Sequence, residues 1–515
     1  MRLVNVKAVL ALAGDIADGH FKPEVKLLEE RLGSDYAILS HCWGTDEEEV
    51  QFKEMDNLTT VDRATREKIM ARSGYQKILK SCEQASAHNL DWLWVDTCCI
   101  NKESSSELSE AINSMYPWYK RSKKCYAFLH DVEDPVFPRV SDEAVFSRDL
   151  NGWPRWFSRG WTLQELVAPN DVHFFNSSWV DIGNKKCLAS TLEIITRIPT
   201  SILQDGLSAK PPSVAQVMSW AADRRTRRME DKAYSLLGLL DVHMPMLYGE
   251  GKKAFRRLQV EVLRTYNDHT IFAWGHSRKT GWSSSFLADD PSQFRDCSSI
   301  VKMEFNQFIR AVKLKRVIPD EELCKVTDSG NSERLETFSV SNAGIQIWLP
   351  IKSCHGSCLV AQGLSTSFHK LQLYKARLSC CNSPKSRPVT IFLAQFENKY
   401  FRHFGDFKPD LDAKPQFQQL FLPYQNEIYQ DDFRFQVDLK LWSGSIRHSN
   451  FPTSVRRENS ITLTSTEDCA VVVCENTENN TRLAVALSYC LGKLESPVTV
   501  STYPEGNLAV DSSYG

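Results

Sequence analysis

Tyr36-Ala37-Ile38-Leu39-Ser40-His41-Cys42-Trp43-Gly44 begins as an apolar run and then switches abruptly to small, polar and aromatic residues. A short run without alternation is what a strand buried on both faces of a parallel sheet requires. Leu93-Trp94-Val95-Asp96-Thr97-Cys98-Cys99-Ile100-Asn101 repeats the pattern and the switch, and Lys124-Cys125-Tyr126-Ala127-Phe128-Leu129 repeats the apolar run. In open α/β sheets ligands bind beyond the carboxyl ends of the strands. Ser40, His41, Trp43, Asp96 and Cys98 are therefore expected along one sheet edge.

The segments between these runs read as helices. Thr60 to Asn89 is long, polar and helix-compatible, and Glu107 to Tyr119 places Leu108, Ile112, Met115 and Tyr119 at helical spacing. Ser104 and Glu107 have the spacing of a capping box before it. A fourth strand, Asp171-Val172-His173-Phe174-Phe175, follows the stretch Phe157-Ser158-Arg159-Gly160-Trp161-Thr162-Leu163-Gln164-Glu165-Leu166. On a helix Trp161 and Glu165 would share a face one turn apart, an aromatic wall beside a carboxylate. Strand and helix alternating in this order imply a doubly wound parallel sheet over residues 1–185.

The rest of the chain changes texture twice. Residues 186–275 read as a helical extension, with Ser213 capping a helix through Val217, Trp220 and Ala221, and further helical periodicity over Glu230 to Leu240 and Gly251 to Thr265. Arg224-Arg225-Thr226-Arg227-Arg228, followed by Glu230 and Asp231, reads as a solvated, salt-bridged helix turn rather than a nucleic-acid site. Gly249-Glu250-Gly251-Lys252-Lys253 lacks the spacing of a phosphate-binding loop, and no apolar strand leads into it. Residues 276–515 read as a β-rich domain: Phe433 to Leu441 alternates without a break, and Gly344 to Leu349, Thr390 to Phe396, Ile461 to Thr464, Ala470 to Cys474 and Arg482 to Leu487 also read as strands. Cys354-His355-Gly356-Ser357-Cys358 with Cys380-Cys381 matches no common zinc spacing, so no metal is expected.

Bulk properties exclude several classes. A chain of 515 residues is too long for one core, and 42% hydrophobic with 24% charged residues argues against wholesale disorder. A net charge of -2 gives no electrostatic reason for nucleic acid or anionic membrane as a general partner. No apolar stretch approaches a membrane span, and Met1 to Ala17, interrupted by Lys7 and Asp15, does not read as a signal peptide. Fifteen scattered cysteines, most in apolar runs such as those of Cys125, Cys474 and Cys490, point to reduced thiols and a cytoplasmic setting. The sequons at Asn57 and Asn176 are then chance occurrences.

At the quoted strand ends the chain resembles the fungal heterokaryon-incompatibility (HET) domain. The resemblance rests on Tyr36 to Gly44, Trp94 to Ile100, Glu107-Leu108-Ser109-Glu110-Ala111-Ile112-Asn113-Ser114-Met115, and Arg159-Gly160-Trp161-Thr162-Leu163-Gln164-Glu165-Leu166, in the family's order. Met218 to Ala222, Glu230 to Gly238 and Tyr248 to Gly251 look like the region downstream of the domain in many fungal members. The segment Ala8 to Ser34 is longer than the family's usual lead into the first strand. The resemblance implies non-self recognition with regulated cell death, self-association through the HET domain, an incompatibility partner protein, and a fold similar to the Toll/interleukin-receptor (TIR) domain. Ser158 to Leu166 resembles the segment that in catalytic TIR domains carries the glutamate that cleaves NAD.

That comparison makes NAD a substrate and requires no cofactor. The nicotinamide leaves as a neutral ring, and a carboxylate such as Glu165 can stabilise the ribosyl cation left behind. Trp43 or Trp161 could stack on a ring, Asp96 could bind a hydroxyl, and Arg159 could meet phosphate. Each residue also has a structural use. Trp161 and Trp94 fit as core aromatics, Asp96 as a cap, and Arg159 as an ion-pair partner of Glu165. His41 with Cys98 or Cys99 suggests a thiol hydrolase, but no third orienting group is evident. The second functional reading is a non-catalytic signalling and self-association module.

Overall fold

A computed structural model describes residues 1–14, 25–27, 35–146, 152–207, 211–275, most of 281–314, and strand segments between 337 and 495. The chain divides into two compact units. One comprises Met1–His276, Ala288–Lys302 and Cys380–Ser386; the other comprises Ser277–Leu287, Met303–Ser379 and Arg387–Gly515.

The first unit is built on a seven-stranded sheet in the order β2-β1-β4-β3-β5-β6-β7. Its strands are β1 (Arg2–Asn5), β2 (Val25–Leu27), β3 (Ala37–His41), β4 (Trp92–Trp94), β5 (Lys124–Phe128), β6 (Val172–Phe175) and β7 (Asp181–Asn184). The four runs read from the sequence are the centre, β4-β3-β5-β6, and these are parallel. All five residues of β3 are buried, as the absence of alternation requires. The edges differ from the wholly parallel expectation. β1 pairs antiparallel with β4 and β2, and β7 pairs antiparallel with β6, so the sheet is mixed. Five residues separate β6 from β7, enough for a hairpin but not for the crossover that parallel pairing needs.

Helices cover both faces. Consecutive strand residues point to opposite sides, and on β5 the Cys125 thiol meets the carbonyl of Glu165 while the Tyr126 hydroxyl meets His88. Helix Thr162–Val167 thus lies on one face, and the end of helix Ser73–Ala87 on the other. Helix Ser105–Arg121 packs with Thr162–Val167, and helix Val6–Gly14 with Ser73–Ala87. The long 60–89 segment is two helices, Arg63–Met70 and Ser73–Ala87. Ser104 caps its helix by accepting from Glu107 N, but the capping box is not closed: Glu107 is drawn instead to Arg2 and to the Asn101 amide.

Residues 186–275 lie within this first unit. Helix Val214–Ala221 starts in a full capping box of Ser213 and Gln216, and Lys253–Thr265 forms a second amphipathic helix. The Arg224–Arg228 stretch is not a helix turn. Arg225, Arg227 and Arg228 are exposed, whereas Arg224 is buried, and Arg159 and Arg225 form a parallel bridge. The amides of Gly249 and Gly251 both donate to Glu230, which occupies the donors a phosphate would need.

In the second unit, the described strands pair antiparallel. Ile345–His355 pairs with Phe338–Val340 and Gln416–Leu422; Pro388–Phe396 pairs with Lys399–Phe404; Cys469–Asn476 pairs with Ile446–Phe451 and Thr481–Cys490. Of Phe433 to Leu441 only Phe433–Gln436 is a described strand, and Gly356 to Cys358 of the cysteine cluster lie outside the described residues. Among the described residues no cluster of potential ligands could hold a metal, and no helix is long and apolar enough to cross a membrane.

Candidate functional site

The site grows from β3. Because side chains alternate along a strand, Ser40 points to the face that carries helix Thr162–Val167 and meets its glutamate. Ser40 Oγ donates to Glu165 Oε2 at 2.5 Å and accepts from Trp156 Nε1 at 2.8 Å. Tyr119, on the neighbouring helix, donates to Leu39 O at 3.1 Å, and its hydroxyl also lies against the Glu165 carboxyl. Glu165 is 5% exposed. Burial pushes its pKa up to about 8, and nearby Asp96 adds to the rise; the Ser40 hydrogen bond, Arg159 and Arg224 oppose it. At neutral pH the carboxyl is therefore mostly protonated.

The glutamate's helix is clamped at both ends. Arg224 donates to Arg159 O at 2.8 Å and to Thr162 Oγ1 at 2.9 Å, at the helix start. The Lys185 ammonium holds Leu166 O at 3.2 Å and also Pro169 O, at its end. Burial lowers the pKa of Arg224 to about 9 and of Lys185 to about 8. Arg159 does not pair with Glu165; among the described residues its guanidinium enters no ion pair, and its carbonyl serves as Arg224's acceptor.

Trp43 and Asp96 meet at the ends of β3 and β4. Trp43 Nε1 donates to Asp96 Oδ2 at 2.8 Å, and Lys102 Nζ stands 3.7 Å from the centre of the Trp43 ring. Asp96 thus orients an indole instead of capping a turn. Trp161 is set apart from both pairs. It immediately precedes helix Thr162–Val167, and it stands near Asp231, whose pKa burial raises while Tyr248, which donates to it, and Trp161 oppose the rise. Trp94 is wholly buried, between Trp118 and Tyr119.

His41 turns toward Glu49 rather than Cys98, with Nε2 3.6 Å from Glu49 Oε2. Glu49 also takes the Lys77 ammonium and the Gly44 amide. Burial works to raise its pKa, but His41 and the hydrogen-bonded Lys77 ammonium overcome it and lower the pKa to about 2. Cys98 is buried, with a pKa raised by Cys99 and by burial, the opposite of an activated thiol. Cys99 is buried too, and its sulfur accepts from the Val95 amide, so His41 is paired with neither thiol of the thiol-hydrolase reading.

The structure therefore joins Ser40 to Glu165 and Trp43 to Asp96, brings Arg159 and Asp96 within electrostatic reach of Glu165, and places Trp161 elsewhere. Trp156, Glu49, Lys77 and Lys102 had no signal of their own in the sequence, and Tyr119 and Arg224 were read only as part of a helical face and of a basic run, since each acts through a partner distant along the chain.

Residues 36–146 match the family described as Heterokaryon incompatibility protein (HET), and residues 253–340 match one described as Domain of unknown function (DUF8212). The chain carries a HET domain. Over 237 residues, 44% of the chain, it is 42% identical to "Vegetative incompatibility protein HET-E-1" of Podospora anserina. The aligned part is 16% of that relative's length. No solved structure matches.

Proposed function

We propose that the chain is a cytoplasmic effector of heterokaryon incompatibility that triggers regulated cell death on non-self recognition, by cleaving NAD at Glu165. The role is supported by the HET domain and by the similarity to a vegetative incompatibility protein. The chemistry is supported by one observation above all: a buried carboxyl with no ion-pair partner among the described residues, hydrogen-bonded to Ser40 near the carboxyl end of β3. The parallel strands run β4-β3-β5-β6, an order that reverses between β3 and β5, and such a reversal is where doubly wound sheets take ligands. The same order supports kinship with TIR domains.

In the reaction the bond between nicotinamide and ribose breaks, and its electron pair leaves with the ring. Water captures the ribosyl cation and releases a proton. Ionised Glu165 would stabilise the cation, Asp96 a ribose hydroxyl, and Arg159 a phosphate. In the resting form Glu165 is covered and mostly neutral, so the site is latent. Exposure to water and to a cationic substrate favours its ionisation. Self-association of HET domains, or an incompatibility partner, would supply that opening.

Burial of Glu165 also favours a second reading, a non-catalytic HET signalling and self-association module in which the Ser40 bond is structural. An NAD-depletion assay on the full-length protein, across a range of protein concentrations, separates the two. Glu165→Gln keeps the side chain's size and should lower turnover on the order of 100- to 1000-fold. Equal depletion by both proteins, or none by either, leaves the module reading.

A further inference from the structure

Trp43, Asp96 and Lys102 form an arrangement that the proposed chemistry uses only in part. The indole is half-exposed, and its N–H bond to Asp96 fixes the direction of its face. That face is covered by the Lys102 ammonium. Asp96 Oδ1 is buried and has no hydrogen-bond partner among the described residues. An aromatic face with a carboxylate at its edge attracts a cation by quadrupole and by charge, and the unused oxygen leaves the carboxylate able to accept more.

We propose that Trp43 and Asp96 form a binding site for a flat organic cation and that Lys102 occupies it in the resting protein. Among the described residues Lys102 makes no hydrogen bond or ion pair, so the ring is its chief attachment. Burial lowers the Lys102 pKa, with the charge of Asp96 opposing; the ammonium has given up water for a weak contact. Lys102 and Asp96 share the loop between β4 and helix Ser105–Arg121. That loop is held by buried Cys98, Cys99 and Ile100, by the Asn101 amide's bond to Glu107 and by an exposed pair between Glu103 and Lys53, none of which uses the Lys102 side chain. Displacing the lysine therefore breaks little else. The lysine acts as an internal competitor, so a ligand must carry its own positive charge to replace it. The class of ligand is set by the site alone. Its identification with the nicotinamide ring of NAD, a pyridinium, rests on the proposed function.

Calorimetric titration of the full-length protein with 1-methylnicotinamide, a pyridinium unable to undergo the cleavage, tests the site without turnover. Lys102→Met removes the competitor and should tighten binding about tenfold, the scale of a partly desolvated cation–π contact. Lys102→Gln should do the same, and Lys102→Arg should bind like wild type. Adding Trp43→Leu to Lys102→Met should abolish the gain, and neutral nicotinamide should bind Lys102→Met at least about tenfold more weakly. A Lys102→Met or Lys102→Gln protein that keeps the wild-type melting profile but gains no affinity overturns the proposal. So does a gain that survives Trp43→Leu, or that nicotinamide shares. If the pyridinium binds as expected while no protein consumes NAD, the cation site stands and the enzymatic reading falls.

Discussion

Ser40 is a relay: it accepts from Trp156 and donates to Glu165, so one hydroxyl satisfies two buried groups. The acid it holds makes folding sensitive to pH in a defined direction. With a folded pKa of about 8 against an ordinary 4.5, Glu165 keeps its proton more tightly folded than unfolded. Its contribution is full below pH 4.5 and is lost as pH rises toward 8. Thermal melting of wild type and Glu165→Gln should show it: the variant's advantage grows over that interval and levels off above it. A constant difference across the interval would mean that Glu165 titrates normally. Ser40 and Asp96 could be located from the sequence because apolar runs that switch to polar residues mark strand ends in an α/β sheet, and Glu165 through its spacing on a helix. Trp161 was misplaced because helical spacing shows which residues share a face, not what that face meets. Trp161 stands at the entrance of a six-residue helix, near Asp231. Trp156, which does reach Ser40, lies in a 3-10 turn with no periodicity to read.

Among the elements, the loop after β3 is fastened to helix Ser73–Ala87 through Glu49 and Lys77. Glu49 has its pKa lowered from 4.5 to about 2, so its stabilisation is present above pH 4.5 and lost as pH falls toward 2. Lys77→Met should cost about 3–5 kcal/mol in denaturant unfolding at neutral pH, because it strands a buried carboxylate. The loss should shrink in acid; a loss that does not change with pH would place its origin in packing. Gly238 marks a second tight contact, since a Cβ there would lie 2.1 Å from Tyr116 Cβ on helix Ser105–Arg121. Gly238→Ala should destabilise by about 1–3 kcal/mol, and an unchanged midpoint would show that the turn can retreat. The central strands were legible as unalternating apolar runs. β1, β2 and β7 were not: they are four, three and four residues long, and what makes them strands is pairing with distant partners. The basic run at Arg224–Arg228 misled for a similar reason, because charge density does not reveal that one arginine is taken inside to hold two acceptors at the start of another helix.

For the molecule as a whole, the proposed role predicts that expressing the full chain in a fungal cell lowers NAD and viability, and that Glu165→Gln expressed at the same level does neither. Cell death with constant NAD would move the activity from chemistry to assembly. The β-rich second unit was legible as a class, through alternation, but its pairing order was not, because register depends on which strands meet. The pairing of β5 with β6 bears on how the family region can be handled. The HET match ends at residue 146, while β6 spans Val172–Phe175. A fragment ended at 146 would strip β5 of that neighbour and bare a row of amide and carbonyl groups on a strand buried at four of its five positions. Such an edge is a template for strand addition between molecules. The fragment would clump, and its aggregates would mimic signalling assembly and toxicity in cells whether or not Glu165 were present.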